Sequence, residues 1–181
     1  TMRRTLIKIC GLTLKRQAEA IAELGVDALG FVCYPKSPRF VPPAEIRRMI
    51  RDLPPYLKTI GVFVNEQLEN LIARMRTTGI DLVQLSGDET PEYGNTLSES
   101  GIQWMQTVRI KNDQALEQLP IEKRQYLLLD AWHQTEYGGT GRTFSWRRLR
   151  NRKESRRIVL AGGINPDNVT RAVQWVHPYA V

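Results

Sequence analysis

The chain has 181 residues, with 26 Lys and Arg against 19 Asp and Glu, a net charge of +7, and 41% hydrophobic and 25% charged residues. Those are the proportions of an ordinary globular domain long enough to bury a core, and they exclude a disordered or low-complexity chain. No apolar run approaches membrane-spanning length, the opening "TMRRTLIKICG" lacks the layout of a signal peptide, and the two cysteines have no metal-ligand partners. A disulfide framework and a zinc site are therefore not expected, and both thiols are expected to be reduced, in the cytoplasm.

Short apolar runs alternate with amphipathic helices along the chain. "LIKIC" predicts a first strand, and Thr13 is placed to cap a helix bearing Ala18, Ile21 and Ala22. "ALGFVCY" is the second strand, followed by a helix with Ile46, Met49, Ile50 and Leu53 on one stripe. "TIGVFV" is the third, and its helix repeats the spacing with Leu68, Leu71, Ile72 and Met75. "DLVQL" precedes a helix opened by Pro91, and "IQWMQTVRI" precedes a short helix near Ala115 to Leu119. "YLLLD" is the sixth strand, with a helix from Trp146, and "RIVLAGG" is the seventh. Asn165 is expected to cap the last helix, with Pro166 at its first position and Val169, Ala172, Val173 and Val176 on its apolar stripe. "PYAV" begins something apolar at the end of the sequence.

This alternation predicts a parallel α/β fold in one domain, residues 1–181. An open doubly wound sheet and a closed (β/α)8 TIM barrel both accommodate it. The barrel is favoured because the units are short, regular and nearly eight in number. No G-x-G-x-x-G follows the first strand, which weakens the dinucleotide-binding alternative. On the barrel reading the chain is C-terminally incomplete, with strand eight and the last helix missing.

In such a fold the chemistry gathers at the C-terminal ends of the strands. Those ends carry Cys10-Gly11, then Cys33 running on to Arg39, "FVNE", "QLSGDE", Asp130 and Gly162-Gly163. Alternation puts Cys10 on one face with Lys8, and a nearby cation favours a thiolate, which makes Cys10 a candidate base. Nothing near Cys33 marks it as reactive, and packing is its expected role. Asp130 ends a buried strand, either as a solvated turn residue or as a working carboxylate. Gly162-Gly163, just before a helix, leaves backbone N–H groups available to a phosphate, or only permits a tight turn. The loop Gly138-Gly139-Thr140-Gly141 is a lid or a simple connector. His133 and His177 have no ligand companions, and the basic run "RRLRNRKESRR" contains no aromatic residues for base stacking, so it reads as a solvated helix face.

The motifs "KICGLT", "GFVCYPKSPRFV", "GVFVNE", "VQLSGDE", "LLLDAW...YGGTGRTFSW" and "LAGGINPDNV" together resemble the phosphoribosylanthranilate isomerase family of tryptophan biosynthesis, from the first strand to the last residue. The resemblance implies Cys10 as general base, Asp130 as general acid and Arg39 facing the anthranilate carboxylate. It implies Gly162 and Gly163 as half of a phosphate site, and the glycine loop ending in Gly141 as a cover over the substrate. The implied reaction is an Amadori rearrangement of N-(5-phosphoribosyl)anthranilate to 1-(2-carboxyphenylamino)-1-deoxyribulose 5-phosphate. It needs no metal, nucleotide or other cofactor, and its partner is a small phosphosugar rather than nucleic acid or membrane. A monomer or a homodimer fits. Two positions depart from the family pattern: Ser86 stands where histidine is usual, and Ser145 where aspartate is frequent. A basic barrel used as a binding module, and a related phosphosugar enzyme, are the alternatives.

Overall fold

Short parallel strands, each followed by a helix, build both units of the chain in the computed structural model, which describes residues 4–117, 119, 126–131, 144–150, 155 and 157–181. The first unit is Ile7–Trp104 and the second is Met105–Val181 together with Thr1–Leu6. The first contains β1 (Lys8–Cys10), α1 (Lys15–Glu23), β2 (Ala28–Val32), α2 (Pro43–Arg51), β3 (Lys58–Phe63), α3 (Leu68–Thr78), β4 (Leu82–Leu85) and α4 (Pro91–Glu99). Each of its strands pairs in parallel with the next, from β1 to β4. A helix between consecutive strands returns the chain to the same edge, which is what parallel pairing requires.

The apolar stripes read from the sequence face the core of this unit. Ile46 and Met49 of α2 and Leu71 and Met75 of α3 are buried against Leu29, Phe31, Phe63 and Leu85 of the strands. All five residues of β2 are buried, as a strand covered on both faces must be. The start of α1 differs from the expectation. Thr13 does not cap it; the helix begins at Lys15, and the Gln17 carboxamide reaches back to accept from the backbone N–H of Leu14 at 3.2 Å and of Thr13 at 3.4 Å. The longer side chain in the first turn thus covers the backbone donors at and just before the N-cap position Leu14.

The second unit contains β5 (Trp104–Ile110) apart from its first residue, α5 (Asp113–Glu117), β6 (Leu127–Ala131), a 3-10 turn at Trp146–Leu149, β7 (Ile158–Leu160) and α6 (Val169–Val176). β5 pairs in parallel with β6, and β6 with β7. Leu127, Leu129, Ile158 and Leu160 pack with Leu149, Ala172 and Val176. The segment beginning at Trp146 is a single 3-10 turn rather than the expected α-helix.

Two features of this unit revise the sequence reading. Asn165 does not cap α6 directly. Its Oδ1 accepts from the N–H of Asp167 at 3.0 Å and of Asn168 at 3.2 Å, so it caps a turn that precedes the helix, and Asn168 holds the N-cap position. The "PYAV" segment is paired on both sides. Ala180 forms parallel bridges to Val159 of β7 and to Leu6, with Leu6 N donating to Tyr179 O and Val181 N to Leu6 O, both at 2.9 Å.

Candidate active site

In the first unit, β1 ends on Cys10, whose side chain is exposed, and the chain then turns at Gly11 with φ +86°. A side chain at Gly11 would be strained at that φ, and it would also collide with Arg39: a Cβ there falls 2.9 Å from Arg39 Cδ and Cζ. The Arg39 side chain therefore lies over the residue that follows Cys10. The Gly11 N–H donates to Gly30 O at 2.9 Å, which ties this turn to β2. Beneath the thiol, Gly30 is the register partner of Cys10.

Lys8, two residues before Cys10, sends its ammonium to Gln84 Oε1 at 2.9 Å, and Gln84 Nε2 donates to Ser86 Oγ at 3.0 Å. Gln84 and Ser86 are both buried. A carboxamide suits this place because one end accepts from the ammonium while the other donates to the hydroxyl. Cys33 is set apart by its burial, which pushes its thiol up to about 12 against the lowering pull of Arg74. It packs as the sequence implied.

The loops after β3 and β4 are tied together by a buried carboxylate. Glu89 accepts from Asn65 N at 2.7 Å through Oε1 and from Gly87 N at 2.8 Å through Oε2. Asn65 Oδ1 accepts in return from Asp88 N at 2.7 Å. These are the "FVNE" and "SGDE" strand ends. Glutamates there are ordinary in composition, and only the three-dimensional arrangement shows which of them turns inward.

In the second unit, Asp130 is half-buried near the end of β6, and its Oδ1 accepts from the Ala131 N–H at 2.8 Å. Gly162 packs against it: a Cβ at Gly162 would fall 2.5 Å from Ala131 N and 3.0 Å from Asp130 Oδ1, and its φ is +77°. Close approach and backbone conformation thus both demand glycine. Gly163 follows, and its carbonyl accepts from Asn168 Nδ2 at 2.8 Å, while Asn168 Oδ1 accepts from Asn165 N at 2.9 Å. With that carbonyl held toward α6, the N–H groups of Gly162, Gly163 and Ile164 meet no acceptor among the described residues. Gly141, read from the sequence as part of a cover over the substrate, lies outside the described residues, as does His133.

The structure therefore groups Cys10, Gly11 and Arg39 in one unit and Asp130, Gly162 and Gly163 in the other. Gly30, Gln84, Glu89 and Asn168 are the neighbours that sequence reading missed. Only Gln84 carried a usable signal, as a polar residue inside the apolar strand "LVQL".

Comparison with known proteins gives a consistent match. A family model described as N-(5'-phosphoribosyl)anthranilate (PRA) isomerase matches residues 7–181. A protein of Geobacter sp. (strain M21) named N-(5'-phosphoribosyl)anthranilate isomerase is 43% identical over 177 residues, covering 98% of this chain and 85% of the relative. The crystal structure of phosphoribosyl anthranilate isomerase from Thermotoga maritima is 37% identical with a TM-score of 0.88, over 98% of this chain and 86% of that one. A second solved isomerase, in complex with reduced 1-(o-carboxyphenylamino)-1-deoxyribulose 5-phosphate, is 34% identical with a TM-score of 0.83, over 98% and 85% of the two chains.

Proposed function

This chain belongs to the N-(5'-phosphoribosyl)anthranilate isomerase family, and from that premise we propose how its strand ends divide the work of the reaction. The enzyme is an isomerase of tryptophan biosynthesis that converts N-(5-phosphoribosyl)anthranilate to 1-(2-carboxyphenylamino)-1-deoxyribulose 5-phosphate. The 181 residues act as one domain, and the strands are those of a (β/α)8 barrel. The strand–helix alternation and the two-sided pairing of Ala180 support that reading.

Asp130 acts as the general acid. It gives its proton to the furanose ring oxygen as the bond from that oxygen to C1' breaks, and the anthranilate nitrogen lone pair forms a C1'=N double bond. The cationic imine makes the C2' proton acidic. Cys10, as thiolate, takes that proton, and the electron pair moves into a C1'=C2' enolamine while the nitrogen is neutralised. Protonation at C1' and loss of the C2' hydroxyl proton give the ketone. Asp130 and Cys10 supply the ring opening and the C2' deprotonation, the enolamine then tautomerises with no net gain or loss of protons, and no co-reactant is consumed.

The observation that carries this reading is the setting of Cys10. It is an exposed thiol at the end of a parallel strand, with the Arg39 side chain against the next residue, whereas Cys33 is buried. Arg39 binds the anthranilate carboxylate, for which a planar fork of donors is suited. Gly162 and Gly163 offer backbone N–H groups to the phosphate. No described helix is long and apolar enough to cross a membrane, and a biosynthetic enzyme with free thiols suits the cytoplasm.

The test is turnover of phosphoribosylanthranilate generated in situ, followed by loss of its fluorescence. Cys10→Ser and Asp130→Asn are each expected to lose about 10²–10⁴-fold in kcat while still binding a product analogue. Near-normal kcat in either variant removes that residue from the mechanism.

A further inference from the structure

We infer that Gly30 is a positioning residue for the Cys10 thiol: the Cβ missing from β2 is what leaves room for the sulfur at the end of β1. This deepens the reading of Cys10 as the base and rests on it. Cys10 and Gly30 are register partners in the parallel β1–β2 pair, and register partners on adjacent strands send their side chains to the same face. Gly30 has none to send, and the sulfur occupies the space. A Cβ at Gly30 would fall 2.5 Å from Cys10 Sγ, 3.1 Å from Cys10 Cβ and 3.2 Å from Cys10 Cα.

The backbone does not account for the glycine. Gly30 is absent from the left-handed conformations that Gly11, Gly162 and Gly163 adopt, so any residue could take its backbone angles. Nor is it a loop position, since it lies in the middle of a strand buried at every residue. What remains is Cys10, whose sulfur makes the closest of the three contacts. The Gly30 carbonyl also accepts from Gly11 N at 2.9 Å and from Leu12 N at 3.4 Å, so the same residue anchors the turn that follows the base. Cysteine has a single side-chain torsion. A Cβ at Gly30 can be relieved only by turning the thiol to another rotamer or by parting the two strands, and both displace the sulfur.

The test is Gly30→Ala, read in kcat, KM and thiol chemistry. A misplacement of about 1 Å costs on the order of 100-fold in rate, so kcat is expected to fall about that much while KM changes little. The rate at which Cys10 reacts with iodoacetamide is expected to change severalfold, with Cys33 protected in both proteins. Cys10→Ser is assayed in parallel. If Cys10→Ser is inactive, wild-type kcat in Gly30→Ala overturns the proposal. If Cys10→Ser is active, the base reading fails on its own and alkylation alone decides the role of Gly30. Unchanged Cys10 alkylation overturns the proposal in either case. Should Gly30→Ala fail to fold, the double variant C10A/G30A decides. Recovery of folding when the thiol is removed places the clash at the sulfur, whereas a double variant that also fails shows that β2 needs glycine for another reason.

Discussion

The Lys8 ammonium donates to Gln84 Oε1 at 2.9 Å, below Cys10 on the same face of the strand pair. The other end of the Gln84 carboxamide is held by Ser86, so a residue that departs from the family pattern still orients the group that receives Lys8. A serine hydroxyl accepts this bond as an imidazole nitrogen can, at much smaller volume.

Gln84→Leu keeps roughly the shape but leaves Lys8 and Ser86 without this partner. Losing a hydrogen bond of this kind costs about 0.5–1.5 kcal/mol. Urea unfolding should show a lower midpoint with an unchanged slope. A midpoint equal to wild type would mean that the Lys8–Gln84–Ser86 chain contributes nothing to stability.

Glu89→Gln is nearly isosteric, yet it should destabilise the protein. The carboxylate accepts from two backbone N–H groups on different loops, whereas the carboxamide has one accepting end and must turn its NH2 toward the other donor. Each hydrogen bond to a charged group is worth about 1.5–3 kcal/mol, so a loss of that order is expected in denaturant unfolding. Full stability in the variant would show that the clamp between Asn65 and Gly87 does not need a charge.

Arg39→Met should act on binding more than on chemistry. If the guanidinium holds the substrate carboxylate equally in ground and transition states, KM rises with little change in kcat. A loss of about 1.5–3 kcal/mol corresponds to roughly 10- to 100-fold in KM. A fall in kcat at constant KM would move Arg39 from binding to the reacting centre.

Cys33 makes a pH-dependent contribution whose sign follows from its burial. Its thiol ordinarily titrates near 9.0 and is pushed up to about 12 in the folded protein. Above pH 9 the unfolded chain therefore loses this proton while the native state keeps it. Stability from this group is fully present below pH 9 and declines as pH rises toward 12, by about 1.4 kcal/mol per pH unit. The slope of stability against pH over that window should flatten in Cys33→Ala compared with wild type. Parallel slopes would contradict the assignment.

The two thiols should also separate by reagent. Cys10 is exposed and Cys33 is buried, so iodoacetamide should label Cys10 first at neutral pH, and a product analogue should slow that labelling. Equal labelling of both, read by peptide mass mapping, would place Cys10 somewhere other than the open end of β1.

The alternation of strands and helices, the stripes on α2 and α3, and the chemical candidates at the strand ends were all legible in the sequence. Those features are local: a 3.6-residue period in the helices and apolar strand runs bounded by Gly, Pro and polar residues are written into short windows of chain. Cys10 and Asp130 were candidates because each ends an apolar strand run, with a bland reading left open for both, and the six motifs gave the family. The tertiary structure decided what depends on residues distant in sequence. That Gly30 lies under the Cys10 sulfur follows from the β1–β2 register, and Gln84 reaches Lys8 across 76 positions of sequence. Glu89 rather than Glu66 clamps the two loops because the left-handed turn at Asn65 presents its N–H to that carboxylate. At both helix starts the hydrogen bonding differs from what spacing suggested: Gln17 accepts from the N–H groups of Thr13 and Leu14, and Asn165 accepts within the turn before α6, where Asn168 holds the N-cap position. Hydrogen bonding of that kind is settled by distances of a few tenths of an ångström, which residue spacing along the chain does not encode.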